Sequence, residues 1–274
     1  MRKYYQNYIF DLYGTLVDIH TDENRPDFWN KMASLFSCYG ADYAPEKMQQ
    51  SYFDIVHEEE QNLAFESGMN FPEIRIERVF ARLLKEAPAY HSCSEKIVTL
   101  SIEEIEKSEW VRMISNAFRV LSRQKLEVFP HTLETLETLR TEGCHIYLLS
   151  NAQRLFTDAE IEITGVREYL EKIYISSDAG MKKPQPEFMM KLLDEQKLDP
   201  NETVMVGNDF QSDIGVAAAC GVSGIFLNTD RLSSIEMRAR LTRVLTGKND
   251  QYRPVIISSG DIAELLDLDR NLKK

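Results

Sequence analysis

The chain has 274 residues, 43% apolar and 28% charged, which is the make-up of a globular protein with room for one large domain or two unequal ones. Its 32 basic and 44 acidic side chains leave a formal charge of −12, which repels phosphate backbones and excludes general nucleic-acid binding. Cys38, Cys93, Cys144 and Cys220 form no C-x-x-C pair and no disulfide framework, so reduced thiols and a cytoplasmic location are expected.

Tyr8-Ile9-Phe10 predicts a short buried strand ending at Asp11, followed by the loop Asp11-Leu12-Tyr13-Gly14-Thr15. Gln6, Asn7 and Asp11 interrupt any apolar secretory signal. From about residue 20 to residue 125 the texture is helical. Glu58-Glu59-Glu60 reads as a solvated helix face. Ile76, Val79, Phe80, Leu83 and Leu84 follow the spacing of one buried helix stripe. Ser101-Ile102-Glu103-Glu104 is a capping box, expected to open one helix striped by Ile102, Ile105, Ile114, Phe118 and Leu121. Trp29 and Trp110 read as packing residues. Arg25, Lys31, Arg75 and Arg78 read as surface charges, with anion contact as the other reading.

After Pro130 strands and helices alternate. A helix through Leu133, Leu136 and Leu139 stops at Gly143. Strands follow at 145–149, 173–175, 204–206, 225–227 and 255–257, with helices at 186–197, 214–220 and 261–268. His145 is expected to be packed in its strand. The longest weakly polar stretch, 214–227, is too short for a membrane span. Alternating strands and helices imply a parallel sheet with right-handed crossovers. The predicted architecture is an α/β, Rossmann-like core made of residues 1–19 and 126–274, with an all-helical cap domain, residues 20–125, inserted after its first strand.

Three predicted strands end in polar residues: Asp11, Ser150, and Asn208 with Asp209. Ligands of open parallel sheets bind just beyond the carboxyl ends of the strands, so these tips converge. Lys183 lies in a loop that reaches the same rim. Singly, Asp11 could cap a turn, Ser150 a helix, and Lys183 and Asp213 could be surface charges. As a set they suit nucleophilic chemistry. A carboxylate attacks and forms a covalent intermediate, a lysine screens it, and a hydroxyl holds the transferring group's oxygens. Several carboxylates beside a phosphate need a cation, and Mg²⁺ fits an oxygen site that keeps several waters.

The segments Asp11-Leu12-Tyr13-Gly14-Thr15-Leu16-Val17-Asp18, Leu148-Leu149-Ser150-Asn151, Gly180-Met181-Lys182-Lys183-Pro184 and Val206-Gly207-Asn208-Asp209-Phe210-Gln211-Ser212-Asp213 resemble the four motifs of the haloacid dehalogenase superfamily. They come in the family's order, and the helical insertion sits where that family carries a helical cap. The resemblance implies Asp11 as nucleophile, Ser150 or Asn151 as oxygen ligand, Lys183 as charge stabiliser, and Thr15 at the substrate. For Mg²⁺ it implies Asp11, the Tyr13 carbonyl, Asp209 and Asp213. An alternative alignment puts Asn208 in place of Asp209.

Most phosphatases of that family carry a second aspartate where this chain has Tyr13. A phenol, with a reference pKa of about 10, is a poor acid for a cycle near neutrality. Tyr13 instead resembles the 2-haloacid dehalogenases, whose halide leaves without a proton. Gly207-Asn208-Asp209 with Asp213 points back to a metal-dependent phosphatase. Three readings follow: a Mg²⁺-dependent hydrolase of small phosphate esters with an altered acid–base step, a metal-independent 2-haloacid dehalogenase, or a non-catalytic binding protein. The expected partner is a small phosphorylated or halogenated molecule. Neither nucleic acid nor membrane is expected.

Overall fold

The computed structural model describes residues 5–90, 95–246 and 251–271. The chain divides into two compact units, residues 1–19, 126–152 and 160–274 in one, residues 20–125 and 153–159 in the other. It opens with β1 (Asn7–Phe10) and β2 (Val17–Thr21). A helical stretch follows: α1 (Pro26–Cys38), β3 (Ala41–Asp42), α2 (Pro45–Ser67), α3 (Ile76–Lys85), β4 (Ala89–Tyr90), α4 (Glu95–Thr99), α5 (Ile102–Glu106) and α6 (Glu109–Ser122). Alternation begins with β5 (Arg123–Val128), α7 (Thr132–Thr141), β6 (His145–Ser150), α8 (Arg154–Ile163), β7 (Lys172–Ile175), α9 (Ser176–Ala179) and α10 (Pro186–Gln196). The chain closes with β8 (Thr203–Gly207), α11 (Gly215–Ala219), β9 (Ser223–Leu227), α12 (Ser234–Leu245), β10 (Val255–Ile257) and α13 (Leu265–Asn271).

In the first unit six strands form a sheet in the order β10-β9-β8-β1-β6-β7, and every pair whose register is defined is parallel. The α/β core with an inserted helical region is therefore present as expected. Strand residues alternate between two apolar clusters, as a pleat of period two requires. Phe10, Leu148 and Val206 face one cluster; Ile9, Leu149 and Met205 face the other. With both faces covered, β1 and β8 are continuous buried runs. From β1 the chain builds β6 and β7 on one side, then returns to build β8, β9 and β10 on the other. The reversal opens a crevice beyond the carboxyl ends of β1 and β8.

The second unit has its own apolar core. The α3 stripe of Ile76, Val79, Phe80, Leu83 and Leu84 is buried as its spacing demands. Phe118 packs against Phe28, Tyr52 and Phe80 at centroid separations of 5.0, 5.2 and 5.2 Å. The unit is not wholly helical, because β3 and β4 pair antiparallel.

The structure corrects four local readings. The stripe expected on one helix is split between α5 and α6, because Ser108 accepts the Val111 N–H and starts a new helix. His145 is exposed, not packed, and its ring pairs with Glu171. The Glu58–Glu60 run is only partly solvated: Glu59 is mostly buried and bonds Arg78 and Arg82 of α3. Helices α8 and α12 escaped the sequence reading, although Ser233 and Glu236 form a second capping box.

Arg25 and Lys31 pair with Asp27, and Arg75 and Arg78 with Glu106 and Glu59. Cys38, Cys144 and Cys220 are free thiols, while Cys93 lies outside the described residues. Among the described residues no helix is long and apolar enough to cross a membrane.

Candidate active site

Asp11 follows β1 directly, and its N–H still donates to Val206 of β8 at 3.0 Å. The chain then turns tightly: the N–H groups of Leu16 and Val17 both donate to the Leu12 carbonyl. Gly14 sits at φ +80°, and a Cβ there would come 2.3 Å from Asn208 Nδ2. Only glycine satisfies both conditions, so the turn lies flat against the end of β8. Thr229 Oγ1 donates to the Gly14 carbonyl and holds the turn from the end of β9.

Lys183 Nζ donates to Asp11 Oδ1 at 2.9 Å and to Asp213 Oδ1 at 2.7 Å. The lysine side chain is 1% exposed, and Asp213 is fully enclosed. Burial works against the ammonium charge, yet Asp11 and Asp213 together hold Lys183 above its ordinary value. Burial pushes the Asp213 carboxyl up to about 7; Lys183 pulls it down and Asp11 adds to the rise. With both carboxylates ionised the trio carries one net negative charge. Asp213 is held by the Asp209 N–H, which donates to its Oδ2 at 2.9 Å. A Cβ at Gly207 would stand 2.1 Å from that oxygen, so the close approach needs glycine there.

Ser150 ends β6. Its Oγ is buried and, among the described residues, has no hydrogen-bond partner, so it is available to a ligand oxygen. Asn151, the alternative to Ser150 as oxygen ligand, holds the lysine loop with its side-chain amide. Its Oδ1 accepts the Lys183 N–H at 2.7 Å, and its Nδ2 donates to the Lys183 carbonyl at 2.9 Å. Asn151 thus sets the height from which Lys183 reaches the carboxylates. Thr15, expected at the substrate, is buried and donates to Asn208 Oδ1 at 3.3 Å.

Asp209, expected among the metal carboxylates, is exposed, and its Oδ1 accepts the Ser212 N–H at 2.5 Å as a helix cap. Its side chain is turned to the following helix, while Asn208 lies against the Asp11 turn. Among the described residues no three His, Cys, Asp or Glu side chains cluster to hold a metal. The oxygen donors near the turn are two carboxylates, Asp11 and Asp213, with the Asn208 amide. That set suits Mg²⁺, which is held by one or two carboxylates and keeps waters and substrate oxygens.

The Tyr13 O–H donates to Glu160 of α8. Glu160 was missed by sequence reasoning. It belongs to no motif, and Glu160-Ile161-Glu162 looks like any solvated helix face.

A family model described as a haloacid dehalogenase-like hydrolase matches residues 5–221. A glyceraldehyde 3-phosphate phosphatase from Methanothermobacter thermautotrophicus is 21% identical over 169 residues, 62% of this chain and 75% of that protein. A ribulose-1,5-bisphosphate 5-phosphatase from Halopiger xanaduensis is 30% identical over 107 residues. That match spans 38% of this chain and less than half, 44%, of the relative. Among solved structures, a 2-haloacid dehalogenase from Pseudomonas syringae aligns with a TM-score of 0.63 at 17% identity, covering 98% of this chain and 99% of that one.

Proposed function

Because the chain belongs to the haloacid dehalogenase-like hydrolase family, we propose that it hydrolyses small phosphate esters through a covalent intermediate on Asp11. The observation that carries this is the buried cation Lys183 beside Asp11, with the unpartnered Ser150 hydroxyl on the neighbouring strand. A carboxylate, a fixed positive charge and a spare donor form an anion site with a nucleophile in it. The phosphatase names of the curated relatives support the same choice.

In this reading Lys183 holds Asp11 Oδ1, which leaves Oδ2 to attack phosphorus. Ser150 donates to a phosphoryl oxygen. The bond from phosphorus to the leaving oxygen breaks, and water then releases phosphate from Asp11. Asp11, Asp213, the Tyr13 carbonyl and Asn208 would hold Mg²⁺, which neutralises the charge gathered between phosphate and carboxylates when bound. The inserted helical unit is read as the family's cap, with the role of selecting the substrate.

One feature favours a second reading. Tyr13 stands where phosphatases of the family carry an acid, and halide displacement from a 2-haloacid needs none. Two assays, run with and without chelator, separate them. Phosphate release from an aryl phosphate is expected to need Mg²⁺, to stop with chelator, and to fall below detection in Asp11→Asn. Halide release from a 2-haloacid in the presence of chelator overturns the phosphatase reading. Neither activity, with Mg²⁺ still bound, assigns the protein to binding without catalysis.

A further inference from the structure

The turn after β1 is closed by backbone bonds of its own. The N–H groups of Thr15, Leu16 and Val17 all donate to the Leu12 carbonyl, and the Gly14 N–H donates to the Val17 carbonyl at 2.8 Å. The Gly14 carbonyl accepts from outside the turn. Its donor is the Thr229 hydroxyl, 2.5 Å away and 215 residues on in the chain. Thr229 follows β9, a strand that carries none of the four motifs.

The loop that offers this hydroxyl is itself pinned. The buried Asn228 side chain accepts the Leu232 N–H at 2.7 Å and donates to the Leu232 and Ser258 carbonyls at 2.9 and 3.1 Å. The Asn228 N–H donates to the Ile257 carbonyl at 3.1 Å. Gly260 stands at φ +75°, and a Cβ there would come 2.7 Å from the Asn228 carbonyl oxygen and 2.9 Å from the Thr229 nitrogen. Only glycine lets the chain after β10 close on this loop. Thr229 therefore donates from a fixed backbone to a residue type with more freedom to lose than any other, and Gly14 is held at its N–H and at its carbonyl.

The braced residue lies between two metal donors of the reading above. Before Gly14 comes Tyr13, whose carbonyl is read as a Mg²⁺ donor. After it comes Thr15, whose hydroxyl donates at 3.3 Å to Oδ1 of Asn208, read as another. We propose that Thr229 is a positioning residue for the metal site, its hydroxyl holding the Gly14 peptide so that the donors on either side are in place before the cation arrives. The proposal rests on the Mg²⁺-dependent phosphate-ester reading. Donors held in advance bind more tightly, because less backbone freedom is lost on binding.

The test compares the full-length protein with Thr229→Val, which keeps the shape of the side chain and removes the donor, and Thr229→Ser, which keeps the donor. Thr229→Ala removes the donor a second way, at a position that is only half-buried. Titration calorimetry with magnesium chloride is expected to show a dissociation constant about tenfold higher for the valine and alanine variants, and within about twofold of wild type for the serine variant. On 4-nitrophenyl phosphate, Thr229→Val should need about tenfold more Mg²⁺ for half its maximal rate, with KM for the ester unchanged and kcat recovered at saturating Mg²⁺. A hydroxyl that serves the fold alone would lower the melting temperature of the metal-free valine variant and leave its Mg²⁺ affinity within about twofold of wild type. That result overturns the proposal, as does a serine variant that binds Mg²⁺ as weakly as the valine one. A wild type that binds no Mg²⁺, or that releases phosphate equally well with chelator present, overturns the metal-dependent reading itself, and the proposal with it.

Discussion

At the scale of single residues, the centre of the molecule is an ammonium group enclosed by two carboxylates. The ammonium compensates both carboxylates for lost water and they compensate it, although they repel each other, so the lysine is stable there only with its acidic partners. The gap in that set is at position 208. Asn208 lies against Gly14 and receives the Thr15 hydroxyl, and its Nδ2 is 3.5 Å from Asp230. Asn208→Asp puts a further negative charge among Asp11, Asp213 and Asp230. Without metal the like charges should lower the melting temperature. With metal, Mg²⁺ should bind about tenfold more tightly, because affinity follows the ligand charge count, and should raise the melting temperature more than in wild type. Titration calorimetry and melts with and without Mg²⁺ check both signs. Unchanged Mg²⁺ affinity would remove Asn208 from the metal set. Asp11 and Ser150 stood out at strand ends, and Lys183 and Asp213 through the motifs that contain them. The choice between Asn208 and Asp209 was not legible. Neighbouring residues differ in side-chain direction, and that direction depends on the turn that follows them.

At the scale of elements, Ser101 and Ser108 show what local chemistry can and cannot announce. Ser101 accepts the Glu104 N–H at 3.2 Å, and Glu104 returns a contact to the Ser101 N–H at 2.8 Å. That box is written in four adjacent residues. Ser108 carries no glutamate partner three positions on, and the apolar spacing runs straight through it, so one helix was expected where two exist. Ser101→Ala should cost about 1 kcal/mol, typical for a lost N-cap, measured as a lower denaturant midpoint with an unchanged slope. A loss well below that figure would mean that packing of α5, not its cap, holds the helix. Helix α8 was missed for another reason. It carries its polar residue inward and an isoleucine outward, which hides the amphipathic pattern that reveals other helices.

At the scale of the whole molecule, each unit has its own apolar core, and the chain crosses between them within β2 and β5, again after Ala152, and within α8. Two cores permit two unfolding events. Phe118→Ala removes the ring on which Phe28, Tyr52 and Phe80 converge, at a cost of about 3–5 kcal/mol. Calorimetry should show the helical unit's transition moving down while that of the sheet unit holds its place. Both moving together would make the two units one cooperative body. The sequence by itself determined the alternation of strand and helix, the inserted helical stretch, and the motifs at the strand ends. These are properties of near neighbours, fixed by side-chain periodicity and by turn chemistry. Only the tertiary structure decided that Asn151 serves the Lys183 loop, that Asp209 caps a helix, and that Glu160 meets Tyr13. Such roles are set by partners remote in the chain, and a buried polar group takes whichever partner folding brings to it.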